Sequence, residues 1–113
     1  MQKQELSGAY TVSGINQDEE RSTYKGILDL NVLEDNSVKA KWLIGKDQNQ
    51  FGSGFLVDDT FVIDFYYFDE LKNKYTGTVA YKILSPTTLD GFWTEEFGHL
   101  DFIGKEQATK ILD

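Results

Sequence analysis

Apolar and polar residues alternate at period two along most of the chain. In the clearest run, one face carries Tyr24, Gly26, Leu28, Leu30 and Val32. Lys25, Asp29 and Asn31 fall on the opposite face. Because successive side chains of a strand point to opposite faces of a sheet, this alternation indicates a half-buried β-strand.

Similar runs recur along the whole chain and are separated by turn-forming residues. They predict strands at about 8–15, 23–33, 38–45, 50–57, 61–68, 74–84, 88–96 and 99–104. The segments between them, such as Glu34–Ser37 and Ser85–Thr87, are rich in residues that favour turns. The one helix candidate is the tail, Lys105–Leu112. Because no helical segment is long enough to connect parallel strands, neighbouring strands are predicted to pair antiparallel.

Eight short antiparallel strands predict a single all-β domain over residues 1–113. Such a meander has two main solutions, a closed up-and-down barrel or a sandwich of two sheets. We favour the eight-stranded barrel, because closure removes the exposed edge strands that an open meander would leave.

The second half of the chain repeats the first at a period of 51 residues, which relates about 10–54 to about 61–105. The superposed residues include Tyr24 and Gly26 over Tyr75 and Gly77, Trp42 over Trp93, and Phe51 over Phe102. An internal two-fold repeat also favours closure, because the first strand of one copy can pair with the last strand of the other. It further predicts that the polar loops at 16–22 and 67–73 lie at the same end of the molecule.

Three short motifs give the chain a resemblance to a known group of barrels. They are Gly8-Ala-Tyr10, Gly91-Phe-Trp93 and Gly98-His-x-x-Phe102. With the eight-strand meander, they make the chain resemble the calycin-like barrels, that is, the avidin-like and lipocalin-like proteins. The chain has no Trp-Ser-Gly stretch of the kind found in the avidin biotin site, and Tyr10 stands where lipocalins carry their amino-terminal tryptophan. The resemblance therefore implies the barrel fold, without biotin binding or membership of the lipocalins proper.

Composition excludes several classes of function. The net charge of −8 argues against nucleic acids or anionic membranes as partners, because both require basic patches. The absence of cysteine removes disulfides and thiolate chemistry. No apolar stretch approaches the ~18 residues of a membrane span. The polar start of the chain carries no signal-peptide pattern, so we expect a cytoplasmic location.

Catalytic groups are sparse in this sequence. The single histidine, His99, is expected to point outward beside Asp101. Glu95 and Glu96 are adjacent in a strand, so they face opposite ways and do not form a pair of catalytic carboxylates. The acidic pairs at 58–59 and 69–70 are left as a candidate calcium site at one rim. We expect a protein that is not an enzyme and requires no cofactor.

The predicted inner face is rich in aromatic residues. Its members are Tyr10, Tyr24, Trp42, Phe51, Phe55, Phe61, Phe65, Tyr67, Tyr75, Tyr81, Trp93 and Phe102. These rings either fill the barrel or wall a pocket for a small apolar or aromatic molecule, since an eight-stranded barrel is wide enough for either. In the second case, the candidate ligand-binding residues are Tyr24, Trp42, Ser53, Phe55, Tyr67, Tyr81, Trp93 and Glu95.

The predicted outer face is not uniformly polar. Strand 61–68 carries three outward apolar residues, strand 50–57 beside it carries one, and strand 88–96 carries one that could extend the patch. The candidate interface residues are Leu56, Val62, Tyr66, Phe68 and Phe92. An exposed apolar patch of this kind indicates a homodimer or a protein partner. The alternative function is therefore an interaction module with a solid core that works through strand 61–68.

Overall fold

A computed structural model describes residues 3–98 and 100–112 as a closed eight-stranded barrel. The strands are β1 (Gly8–Ile15), β2 (Thr23–Val32), β3 (Ser37–Ile44), β4 (Gln48–Val57), β5 (Thr60–Phe68), β6 (Lys74–Ser85), β7 (Thr88–Glu95) and β8 (Gly104–Lys110). Each strand pairs antiparallel with its neighbours in the chain, and β1 closes the barrel against β8. The predicted all-β, up-and-down barrel is confirmed, and the sandwich is excluded.

The prediction for the last strand was wrong. Most of the segment predicted as a helix, 105–112, belongs to β8, whereas residues 100–103 of the segment predicted as a strand, 99–104, lie in the loop before it. The register of β8 with β1 places Glu106 opposite Gly14 and Ala108 opposite Val12. Because its inner face carries Gly104, Glu106 and Ala108, this strand lacks the large apolar residues that make alternation visible.

The same correction applies to the residues of the preceding loop. Phe102, predicted to be an inward strand residue, lies in this loop and is only partly buried. Leu100, which shares its predicted face, is 71% exposed. Asp101 is exposed, as predicted, but on a loop. His99 lies outside the described residues.

The phase of β4 was also predicted wrongly. Phe51, Ser53 and Phe55 face outward, whereas Leu56, predicted to be outward, packs against the core. The cause is the pairing register, which sets Gln50 opposite Trp42. Residues directly opposite each other on paired strands share a face. Because Trp42 is buried, Gln50 must point inward, and the rest of β4 follows.

One end of the barrel is closed by the chain before β1. A short 3₁₀ helix (Lys3–Leu6) buries Leu6, whose carbonyl accepts a hydrogen bond of 2.6 Å from the Tyr10 hydroxyl. The Ser7 hydroxyl accepts a bond of 2.9 Å from the Val32 backbone amide, which ties this segment to β2. The core beneath it is apolar and fully buried, with Leu28, Val38, Phe61, Ile63 and Leu89.

The order of the strands decides which loops share an end. The loops 16–22 and 69–73 lie at the same end, opposite the 3₁₀ helix, because an even number of strands separates them. Any up-and-down meander has this property, so the internal repeat itself stays a prediction. The acidic pairs Asp58–Asp59 and Asp69–Glu70 flank β5 at opposite ends, so the single calcium rim that joined them was wrong. Within the described residues, no helix is long and apolar enough to cross a membrane.

Candidate functional site

A cavity of about 80 Å³ opens at the end of the barrel opposite the 3₁₀ helix. The inner faces of β2 to β8 and the loop after β1 all contribute to it. Its lining residues are Asn16, Tyr24, Trp42, Ile44, Gln48, Gln50, Phe65, Tyr67, Val79, Tyr81, Trp93, Glu95 and Glu106.

A buried carboxylate lies at the centre of this site. Glu106 is only 5% exposed, although its side chain is ionisable. Its Oε1 accepts a hydrogen bond of 2.7 Å from the Tyr24 hydroxyl, and its Oε2 accepts one from the Tyr81 hydroxyl. Two tyrosines from β2 and β6 therefore hold the carboxylate of β8, one on each oxygen.

Two tryptophans fix the direction of these bonds. Trp42 Nε1 donates to the Tyr81 hydroxyl at 3.0 Å, and Trp93 Nε1 donates to the Tyr24 hydroxyl at 2.9 Å. An indole N–H can only donate. Each tyrosine oxygen therefore accepts from an indole and gives its own hydrogen to Glu106. Two Trp–Tyr arms converge in this way on one carboxylate.

Burial shifts the ionisation of the whole network. Burial raises the pKa of Glu106, while the hydrogen bonds from Tyr81 and Tyr24 act in the opposite direction. Burial, followed by the charge of Glu106, raises the pKa of both tyrosines. The two hydroxyls therefore keep their protons at neutral pH and remain donors to the carboxylate.

The mouth of the cavity carries a second acidic site. The Tyr67 hydroxyl donates to Glu95 Oε1 at 2.5 Å, and the Tyr67 ring stacks on Tyr75 at a centroid distance of 5.2 Å. Burial, then the bond to Glu95, raises the pKa of Tyr67. Gln17 Oε1 accepts a bond of 2.9 Å from the Glu95 backbone amide, so the loop after β1 is anchored at this rim. Tyr75 belongs to the inner register, as predicted, but at the rim it is 39% exposed.

The aromatic rings of the walls are held in edge-to-face contacts. Phe65 lies between the two tryptophans, with its ring centroid 6.1 Å from that of Trp42 and 6.2 Å from that of Trp93. Edge-to-face geometry is favourable because the positive ring edge meets the negative face of its neighbour. The rings are therefore fixed by one another before any ligand enters.

Glycines on adjacent strands make room for these rings. A Cβ atom on Gly91 would lie 2.6 Å from the Tyr81 ring, and one on Gly77 would lie 2.4 Å from the Phe65 ring. Both distances are far inside van der Waals contact. The sequence alternation places Gly26, Gly77 and Gly91 on the inner face, where a missing side chain permits either strong coiling or the approach of an aromatic ring. At Gly77 and Gly91 an aromatic ring lies over the backbone, whereas at Gly26 the nearest atoms belong to Leu43 and Ile44.

Six of the eight candidate ligand-binding residues line the cavity. They are Tyr24, Trp42, Tyr67, Tyr81, Trp93 and Glu95. Ser53 and Phe55 do not, because both face outward, and Phe55 is 52% exposed. Sequence reasoning missed Glu106 because a charged residue is normally assigned to the solvent face. The alternation of Gly104, Glu106 and Ala108 with Lys105, Gln107 and Thr109 was the one available signal.

Two groups of apolar residues lie on the outside of β4 to β7, with Ser53 and Asp64 between them, and we refer to the two groups together as the outer patch. It consists of Phe51, Phe55, Val62, Tyr66, Phe68, Ala80 and Phe92. Tyr66 contacts the rings of Phe51 and Phe68 at 5.7 and 6.1 Å between centroids. Four of the five predicted interface residues belong to it, while Leu56 lies inside the barrel.

The described residues hold no group of three or more His, Cys, Asp or Glu side chains arranged to bind a metal ion.

Solved structures with the same architecture include redesigned β-barrels. One, b11L5F_LGL, has a TM-score of 0.74 and 20% identity, over 96% of this chain and 93% of the other. A second, mFAP1 bound to DFHBI, has a TM-score of 0.73 and 20% identity, over 95% and 96% of the two chains. A third, EF1p2_mFAP2b bound to DFHBI, has a TM-score of 0.73 and 16% identity, over 96% of both chains.

No protein-family model and no curated protein sequence matches the chain. At identities of 16–20%, the likeness to the redesigned barrels shows a shared fold.

Proposed function

We propose that this protein is a non-enzymatic binding barrel that takes a small, flat aromatic molecule into the cavity at its open end. The observation that carries the proposal is the wall of mutually fixed rings around a buried polar centre. Apolar walls with a few convergent polar groups are typical of small-molecule sites. Barrels of the same fold have been solved with the aromatic dye DFHBI bound, which supports the proposal at the level of the fold.

The volume of the cavity limits what enters it. A cavity must have a volume of at least about 10–15 Å³ to hold one water molecule. At about 80 Å³, the cavity takes several waters and is about half the size of an apolar cavity that binds benzene, so an aromatic ligand inserts part of its ring and leaves the rest in the mouth. Because the walls are fixed by ring contacts, little ordering of side chains opposes binding.

Binding without catalysis agrees with how the acidic groups are used. The tyrosine hydroxyls bonded to Glu106 and Glu95 already donate to those carboxylates. A general acid or base must instead lie within hydrogen-bond distance of the substrate atom to which, or from which, it transfers a proton. We also propose that the resemblance to the calycin-like barrels reflects a shared use of the barrel interior for binding.

Thermal unfolding and tryptophan fluorescence test this function directly. Single-ring aromatics and DFHBI at about 1 mM are expected to raise the Tm and to change the emission of Trp42 and Trp93, which line the cavity. Gln50→Phe places a ring in the mouth and should abolish both effects. Gln107→Phe, the same substitution on the outward face of β8, should leave both intact.

If no compound of the panel changes the Tm or the tryptophan emission of the wild-type protein, the proposal is overturned. Equal responses of the wild type and Gln50→Phe would show that the ligands bind elsewhere.

A second candidate function is self-association through the outer patch. Lys41 and Lys74 lie over the rings of Phe51 and Tyr66, at 5.9 and 5.0 Å from their centroids. In a chain of net charge −8, these two lysines reduce like-charge repulsion where two copies would meet. We propose as the alternative function a homodimer in which the outer patches of two copies pack against each other.

A further inference from the structure

The charged groups that line the cavity are of one sign. Glu106 lies at its centre and Glu95 at its mouth. Among the residues that the structure describes, no lysine, arginine or histidine lines this cavity. Any charge on an entering ligand therefore meets an acidic environment with a low local dielectric.

The hydrogen-bond donors of the cavity centre are already used. Both indole N–H groups donate to tyrosine oxygens, and both tyrosine hydroxyls donate to Glu106. A carboxylate offers about four acceptor positions on its two oxygens. Glu106 therefore retains acceptor capacity toward the cavity, while the aromatic residues around it have no donor left. A ligand group that approaches Glu106 must therefore bring donors of its own.

The buried charge of Glu106 also lacks a cationic partner in the lining. Burying a carboxylate is costly unless it is both hydrogen-bonded and paired with opposite charge. The two tyrosines supply the hydrogen bonds, and the pairing charge is what the site lacks.

We infer that the ligand is a small, flat cation whose N–H groups donate to Glu106, such as an amidinium, a guanidinium or a protonated heteroaromatic amine. This inference rests on the proposed function and adds the chemical class of the ligand. A planar cation satisfies the acceptors of the carboxylate, and its ring lies among the aromatic walls.

Three small ligands of similar shape and different charge show whether the cavity selects its ligand by charge. Benzamidinium, benzamide and benzoate each carry one ring and a planar head group that is cationic, neutral and anionic, respectively. Their dissociation constants are measured on the wild-type protein by tryptophan fluorescence and by calorimetry. We expect benzamidinium to bind at least about tenfold more tightly than benzamide, and benzoate to bind most weakly, as expected for a close charge pair.

Two variants locate the effect. In Glu106→Gln, the preference for benzamidinium over benzamide should fall to within about threefold. Glu34→Gln, the same substitution on an exposed residue outside the cavity, should keep the wild-type preference. If Glu106→Gln fails to fold, the comparison of the three probes on the wild type still decides the question.

The outcomes distinguish the two proposals. Binding of benzamide or benzoate as tight as that of benzamidinium overturns the cationic class and leaves the binding function standing. Failure of all three probes, together with failure of the wider aromatic panel, overturns the binding function and this inference with it. An unchanged preference in Glu106→Gln overturns the role given to Glu106.

Discussion

The hydroxyl of Tyr24 lies 2.7 Å from Oε1 of Glu106, although 82 residues separate the two in the chain. The bond connects β2 with β8 across the inside of the barrel, with β1 between them on the wall. It is one half of an arrangement that Tyr81 completes on the other carboxylate oxygen. The centre of the cavity is therefore a folded-state feature that is assembled only when the barrel closes.

Truncation of the carboxylate should destabilise the protein. Glu106→Ala leaves the hydroxyls of Tyr24 and Tyr81 buried without their acceptor, at a cost of about 1–3 kcal/mol for each group. We expect the free energy of unfolding in urea to fall by about 3 kcal/mol. Glu34→Ala, on an exposed residue, should change it by less than about 0.5 kcal/mol. Equal stability of the two variants would contradict the role of Glu106 as the acceptor.

Removal of the carboxylate together with its two tyrosine donors should restore part of that stability. The triple variant Glu106→Leu, Tyr24→Phe, Tyr81→Phe removes the buried carboxylate and both hydroxyls, but it leaves the indole N–H groups of Trp42 and Trp93 without their acceptors. Replacing a buried ionic cluster with apolar residues is often neutral or stabilising, whereas each donor left without a partner costs about 1–3 kcal/mol. We expect an unfolding free energy between those of Glu106→Ala and the wild type, together with loss of benzamidinium binding. A triple variant less stable than Glu106→Ala would show that the network itself stabilises the fold.

The stability of the protein should decrease with rising pH in part because Glu106 ionises. Its pKa is raised in the folded state above the usual 4.5, mainly by burial. The folded state therefore holds this proton more tightly than the unfolded state. The contribution to stability is complete below pH 4.5 and is lost as the pH rises through the raised folded-state pKa. In Glu106→Gln, we expect the Tm to decline less over this interval than in the wild type.

The other groups whose pKa is shifted titrate outside this window or in the opposite direction. Hydrogen bonds, from Ser22 for Asp18 and from Asn73 for Asp69, lower the pKa of these aspartates below 3.8, so their contributions are lost as the pH falls further. The raised pKa values of Tyr24 and Tyr81 keep both hydroxyls protonated below pH 10. Parallel Tm curves for the wild type and Glu106→Gln above pH 4.5 would contradict the prediction.

A methyl group at Gly91 should disturb the cavity. A Cβ atom there lies 2.6 Å from the Tyr81 ring, so Gly91→Ala forces the ring away from Glu106. We expect a loss of about 1–3 kcal/mol in the free energy of unfolding, typical of overpacking. Gly45→Asn is the control, because its Cβ would meet nothing within 4 Å and asparagine tolerates the φ of +64° at this turn. A loss at Gly91 no larger than at Gly45 would contradict the close approach of the ring.

A charged substitution in the outer patch should abolish homodimerisation without affecting ligand binding in the cavity. If two copies associate there, Tyr66→Asp and Phe68→Asp should each give a monomer in sedimentation experiments with the barrel still folded. Gln107→Asp, on the outward face of β8, should leave association unchanged. Association that survives both substitutions would overturn the dimer, and the ligand-binding function would be unaffected.

The sequence by itself determined the class of fold and most of the strands. Seven strands lie within about three residues of their predicted bounds, because alternation and turn residues are local signals. Trp42, Tyr81 and Trp93 were placed inside on the same grounds. Local pattern also placed Gly77 and Gly91 on the inner face, where aromatic rings lie over them.

Only the tertiary structure decided the phase of β4 and the identity of β8. In β4, either face is acceptable on composition alone, and the pairing of Gln50 with the buried Trp42 selects the one that turns Phe51 and Phe55 outward. In β8, the need to pair with both β1 and β7 overrides a weak local pattern. The position of Glu106 was hidden for the same physical reason. A buried carboxylate is tolerable only beside donors such as Tyr24 and Tyr81, and only barrel closure brings those donors to it.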